Sequence, residues 1–144
     1  MFLFRKIEAV NDIKTAALVH PGEPEAACQK FIADALNPEC TLFLFTYGEA
    51  EALLNRKALD VIFIFPDANS SQEEQFSLCH TLRSKGDERI IIFVVNDRLE
   101  IGDSALITSK GFDNYLAFGD DKAQINDTIQ WAILNRRRRN KISI

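Results

Sequence analysis

Residues 60–69 read DVIFIFPDAN, and within them Val61–Phe65 is an unbroken run of β-branched and aromatic side chains stopped by Pro66. A run of this length and composition is a strand, and proline ends it by removing a backbone donor. It does not alternate with polar residues. A strand that is apolar at every position has both faces covered, which is the environment of a parallel sheet between helices. Working outward, four further runs have the same character: Thr15–Val19 (TAALV), Thr41–Phe45 (TLFLF), Ile90–Val95 (IIIFVV) and Tyr115–Phe118 (YLAF).

The stretches between these runs carry helical signals. After His20, Pro24 suits a first helical turn, Glu23 and Glu25 suit the positive end of the helix dipole, and Cys28, Phe31, Ile32, Ala35 and Leu36 fall on one face. GEAEALLNRK gives a shorter second helix. Ser70–Glu73 and Ser71–Glu74 have capping-box spacing ahead of Leu78, Cys79 and Leu82, with Gly86 as the stop. A fourth helix spans Ser104–Lys110 and closes at Gly111. The last runs from about Asp121 to Arg139, with Ile125, Ile129, Ala132 and Ile133 on one side. Strand and helix thus alternate five times. Right-handed crossovers then predict an α/β fold: a doubly wound, five-stranded parallel sheet of order 2-1-3-4-5 in a three-layer, flavodoxin-like sandwich.

The chain has 144 residues, 47% hydrophobic and 26% charged, which fits one globular domain. A net charge of −4 gives no bulk signal for nucleic acid. Cys28, Cys40 and Cys79 have no metal-ligand spacing and read as reduced thiols in small core sites. No stretch approaches the roughly 20 apolar residues of a membrane span. The expected location is cytoplasmic. Dinucleotide, P-loop and nucleophile-elbow signatures are absent from the sequence.

Several stretches resemble a known family. TYGEAEALL (46–54), FSLCHTLR (76–83), GFDNYL (111–116) and INDTIQWAILNRRRR (125–139) are similar, in that order, to segments of the receiver domain of two-component response regulators. The resemblance covers residues 13–135. It leaves 1–12 as an N-terminal extension and 136–144 as the basic end of the last helix, leading toward a further module beyond Ile144.

In that family an acidic pair after strand one and an acceptor aspartate after strand three hold magnesium; a Ser or Thr follows strand four, and a Lys follows strand five. Carried over, the acidic pair falls on His20 and Pro21, the acceptor on Phe65, the hydroxyl on Val95 and the lysine on Phe118. None keeps the family's chemistry. The resemblance therefore implies a degenerate pseudo-receiver with no catalytic residue and no cofactor. The expectation is that Phe65, Val95 and Phe118 converge to fill the former pocket. Counting back from the third helix instead places the acceptor at Asp67, with Glu23, Glu25 and Lys122 as accessory charges. Magnesium belongs to the reading only in that alternative. A second alternative puts a small apolar ligand in a remodelled cleft near Phe65 and Phe118.

Outside the pocket, His20 reads as a hydrogen-bonded loop histidine and His80 as a surface residue. The four arginines 136–139 read as a solvated helix end or an interrupted connector. The family's contact face implies Tyr115, Ile129 and Trp131 as surface for a protein partner or a second copy, and two-component signalling or phosphorelay as context. An output, sensor or kinase module is the implied linked partner.

Overall fold

The computed structural model describes residues 7–22, 26–66, 72–97 and 104–142. Five parallel strands form one sheet in the order β2-β1-β3-β4-β5: β1 (Thr15–His20), β2 (Thr41–Thr46), β3 (Val61–Ile64), β4 (Ile90–Val95) and β5 (Asn114–Ala117). This is the predicted topology. The helices are α1 (Ala26–Ala33), α2 (Ala50–Asn55), α3 (Glu73–Ser84), α4 (Ser104–Ser109) and α5 (Lys122–Ile142).

Side-chain alternation splits the core into two layers. Leu18, Phe63, Phe65, Ile92, Val94 and Leu116 meet α1 and α5 through Ile32, Ile125, Ile129 and Ile133. Val19, Ile62, Ile64, Phe93 and Val95 meet α2, α3 and α4 through Leu53, Leu78, Leu82 and Ile107. Covering both faces buries all of β3 and β4, so their sequence shows no period-two pattern.

Helix α3 ends as its glycine requires. Gly86 takes φ +85°, and the Asp87 N–H returns to the Leu82 carbonyl at 3.1 Å. Its start differs from expectation: the helix begins at Glu73 after Gln72, while Ser70 and Ser71 lie outside the described residues. Helix α1 is shorter than its apolar face suggests. After Ala33 the Ala35 and Leu36 N–H groups both turn back to the Ile32 carbonyl, each at 3.1 Å, and keep those side chains buried in a turn. Residues 7–12 form a 3-10 turn at Val10–Asp12 that packs on α5, where Gln130 Nε2 donates to the Glu8 carbonyl at 3.0 Å. Among the described residues no helix is long and apolar enough to cross a membrane.

Candidate functional site

In a doubly wound sheet the strand order reverses between β1 and β3, and sites form beyond the carboxyl ends of those strands. The register pairs Val19 with Ile64, and one step further the Phe65 N–H donates to the Val19 carbonyl at 2.9 Å. His20 and Phe65 are therefore neighbours. Their rings stack, with centroids 4.7 Å apart and planes 12° from parallel. Both are buried, and Phe65 is only 1% exposed although it stands at the end of its strand. Pro21 follows, partly exposed. Phe118 lies in the same layer as Phe65 and stacks on Phe31 of α1 at 4.8 Å.

Val95 does not join them. Its side chain points into the opposite layer with Phe93, Ile107 and Ala117. The expected three-way convergence fails there, because Val95 ends a regular strand whose alternation sends it to the other face. Asn96 and Asp97 beyond it are exposed, as is Lys122 at the start of α5. Asp67, Glu23 and Glu25 lie outside the described residues.

Two polar side chains that the sequence reading did not single out complete the rim. Gln75 of α3 is buried, and its Nε2 donates to the Ile64 carbonyl at 3.0 Å and to the Val94 carbonyl at 2.9 Å. It bridges the ends of β3 and β4. The Tyr47 hydroxyl, just past β2, donates to the Phe65 carbonyl. Only one signal for Gln75 exists in the sequence: a glutamine three residues before Leu78 on the buried helix stripe, where a polar residue needs a partner.

The amino end of the sheet is polar and was read less well. Asp113, in the GFDNYL stretch, is buried between β4 and α5. Its Oδ2 accepts from the Ile91 N–H at 2.9 Å and from Arg83 Nη2 at 3.0 Å. Its Oδ1 faces Arg136 Nε at 3.5 Å and Arg139 Nη1 at 3.7 Å. Arg139 also donates to the Phe112 and Thr108 carbonyls, at 3.2 and 3.1 Å. Two arginines of the run thus turn inward, and the solvated-end reading is corrected at Arg136 and Arg139.

Burial pushes the Asp113 carboxyl up against the opposing pull of Arg83, Arg136, the Ile91 amide and Arg139. Burial lowers Arg136 against the pull of Asp113. Nearby, burial pushes the Cys79 thiol up to about 12. Asp87 ends below the ordinary carboxylate range: burial acts to raise it, but its hydrogen bonds and ion pair with Arg89, at 2.7 Å, prevail. Asp60 Oδ2 accepts from the Lys14 and Thr15 N–H groups, at 2.8 and 3.1 Å, and fixes the start of β1 beside β3.

The predicted contact face needs one correction. Ile129 is fully buried under α5 and offers no surface, since it sits on the stripe shared with Ile125 and Ile133. Tyr115 is half-buried in the α3–α4 layer. Trp131 is 58% exposed, and its neighbours in exposure are Leu134 on α5 and Leu106 on α4.

No family model matches the sequence, and no curated protein matches it. Solved structures do. The signal receiver domain of an HD domain-containing protein from Pseudomonas fluorescens Pf-5 aligns with a TM-score of 0.66 at 14% identity, over 98% of this chain and 96% of that one. A CheY-like response regulator receiver domain protein from Methanospirillum hungatei JF-1 gives 0.59 at 13% identity, over 88% and 98%. NtrX from Brucella abortus, solved in complex with ATP, gives 0.66 at 14% identity; the match covers 90% of this chain and 29% of NtrX.

Proposed function

We propose that this chain, whose fold is that of response regulator receiver domains, is a non-catalytic pseudo-receiver that signals by protein contact and not by accepting a phosphoryl group. The observation that carries the reading is the stacked, buried His20–Phe65 pair, at the strand end where the resemblance puts the acceptor. Phosphoryl transfer to a receiver needs a carboxylate nucleophile there, oxygen ligands for a cation, and a positive group to balance roughly two added negative charges. Phe65, His20, Pro21 and Phe118 supply an apolar seal in their place.

The contact surface is drawn from α4 and α5, each of which exposes large apolar side chains. Trp131, Leu134 and Leu106 have no structural need to be in water, and aromatic side chains of this kind anchor protein interfaces. A partner docked there, or an output or kinase module linked as in longer regulators, is positioned by the rigid sandwich.

Titration with beryllofluoride and magnesium, followed by amide NMR, tests the reading. The expected spectrum is unchanged. Saturable shifts centred on Asp67 and Asn96 would establish a working acceptor and overturn it.

A further inference from the structure

A sheet of order β2-β1-β3-β4-β5 has two edges, and they are finished differently. At the β5 edge the strand's outward N–H groups are closed by its own neighbours. The Tyr115 N–H donates to Asn114 Oδ1 at 2.9 Å, and the Ala117 N–H donates to Asp120 Oδ2 at 3.1 Å. Such caps occupy the outward donors that an incoming strand would need.

At the β2 edge the arrangement is open. The Thr41 N–H donates to the Lys14 carbonyl at 2.9 Å, which sets the alternation: Thr41, Phe43 and Phe45 bond inward to β1, while Leu42, Leu44 and Thr46 face out. Thr46 is closed, because its N–H donates to Glu49 Oε1 at 2.9 Å. Among the described residues no protein group meets the outward N–H and C=O of Leu42 or Leu44. From Cys40 to Gly48 the chain carries no charged side chain, and Leu44 is 43% exposed. Lysine, proline and bulges are the usual devices that stop edge pairing, and β2 contains none of the three.

We propose that two copies of this chain join through their β2 edges, antiparallel about a two-fold axis beside Phe43, merging two five-stranded sheets into one. A second copy is the occupant that this edge's own chemistry fits: it is uncharged from Cys40 to Gly48, so two copies meet without like charges in the strand, and its exposed Leu44 gains an apolar partner. With the axis at Phe43, Leu42 of each copy stands opposite Leu44 of the other. Two outward-facing residues then exchange both N–H···O=C bonds at each of the two sites. Donors meet acceptors without a register shift, no charged strand residues are brought together, and the exposed Leu44 packs on Leu42 of the second copy. Arg56 sits over the Phe43 ring at 4.2 Å, so two guanidinium groups flank the axis and set a repulsion that salt screens. This surface lies at the opposite sheet edge from α4 and α5 and is independent of the contact proposed there.

Sedimentation equilibrium at high micromolar concentration, with three variants, tests it. The wild type is expected at twice the monomer mass. Leu44→Pro removes an outward N–H that the monomer's own ladder does not use, so it is expected to be a monomer with an unchanged circular dichroism spectrum. Trp131→Glu, on the far edge, is expected to leave the dimer intact. A wild-type monomer, a dimer that survives Leu44→Pro, or a dimer lost in Trp131→Glu overturns the proposal. Phe43→Cys gives a readout that does not depend on how Leu44→Pro folds. Across the axis the two Cα atoms are about 4.5 Å apart, within disulfide reach. The variant is expected to form a covalent dimer under mild oxidation, which the wild type does not; cross-linking no greater than wild type counts against the axis.

Discussion

The two ends of the sheet have exchanged the roles their folds usually give them. The carboxyl end, where a doubly wound sheet places its polar chemistry, is sealed by the His20–Phe65 and Phe31–Phe118 stacks and by hydrogen bonds that close the strand ends. The amino end, usually only scaffold, holds a dense group of charges among the described residues: Asp113 among Arg83, Arg136 and Arg139, with Asp87 on Arg89 nearby. Among the described residues, buried charge therefore gathers at the end opposite the one where doubly wound sheets place their sites. At the amino end it ties α3, α4 and α5 to the start of β4 and β5. At the carboxyl end the described residues that close β1 and β3 are stacked rings, His20 and Phe65, and no described carboxylate lies buried beside them.

Phe65→Asp is the strongest way to break the contrast, because it asks whether the carboxyl end can take its acid back. Losing the buried ring alone costs about 3–5 kcal/mol, and a carboxylate among Leu18, Phe63 and His20 adds desolvation. Urea denaturation is expected to show a protein unfolded or nearly so, and magnesium to restore nothing. A magnesium-dependent rise in the midpoint would mean that latent ligands remain. Asp113→Ala tests the other end with a smaller effect. Removing the shared carboxylate takes the counter-charge from three guanidinium groups, of which Arg83 and Arg139 keep backbone carbonyls, a loss of about 3–5 kcal/mol, with early hydrogen exchange in the last turns of α5. Native-like exchange at Arg136 and Arg139 would show that the α5 packing stripe alone holds the helix.

The fold was legible because it rests on patterns that are local in sequence. Apolar runs such as Val61–Phe65 and Ile90–Val95, and the stop at Gly86, each declare an element within a few residues, and chirality rules then order the strands. The apolar character of the β3 end at Phe65 was legible for the same reason. What sequence could not give was direction within an element. Val95 reads like its neighbours but ends on the opposite face from Phe65 and Phe118. Ile129 is a different case: the helical period had already set it on the stripe with Ile125 and Ile133, and only the family's contact face, carried over by position, put it at the surface beside Trp131. The arginine run looked solvated because nothing local announces that Asp113, some 20 residues earlier in the chain, lies beneath it. Gln75 was passed over for the same reason: its partners, Ile64 and Val94, are backbone carbonyls 11 and 19 residues away.

Gln75→Leu sharpens the comparison with the smallest expected change. Leucine keeps the volume and the helix propensity of α3 but cannot donate. The Ile64 and Val94 carbonyls lose their donor in a buried setting, at about 1–3 kcal/mol. The sheet is expected to stay folded, because the ladder pairs ending at Ile64–Phe93 and Val95–Ala117 do not use the amide. The effect belongs at the strand ends: faster amide exchange at Phe65 and in the turn at Asn96 and Asp97, with Ile91 beside Asp113 unchanged. If exchange rises equally at both ends, Gln75 supports the whole sandwich and the two ends are not mechanically separate. If it rises only at the carboxyl rim, the stacked rings there are held by their own brace, and the rim keeps its shape through hydrogen bonds to backbone carbonyls.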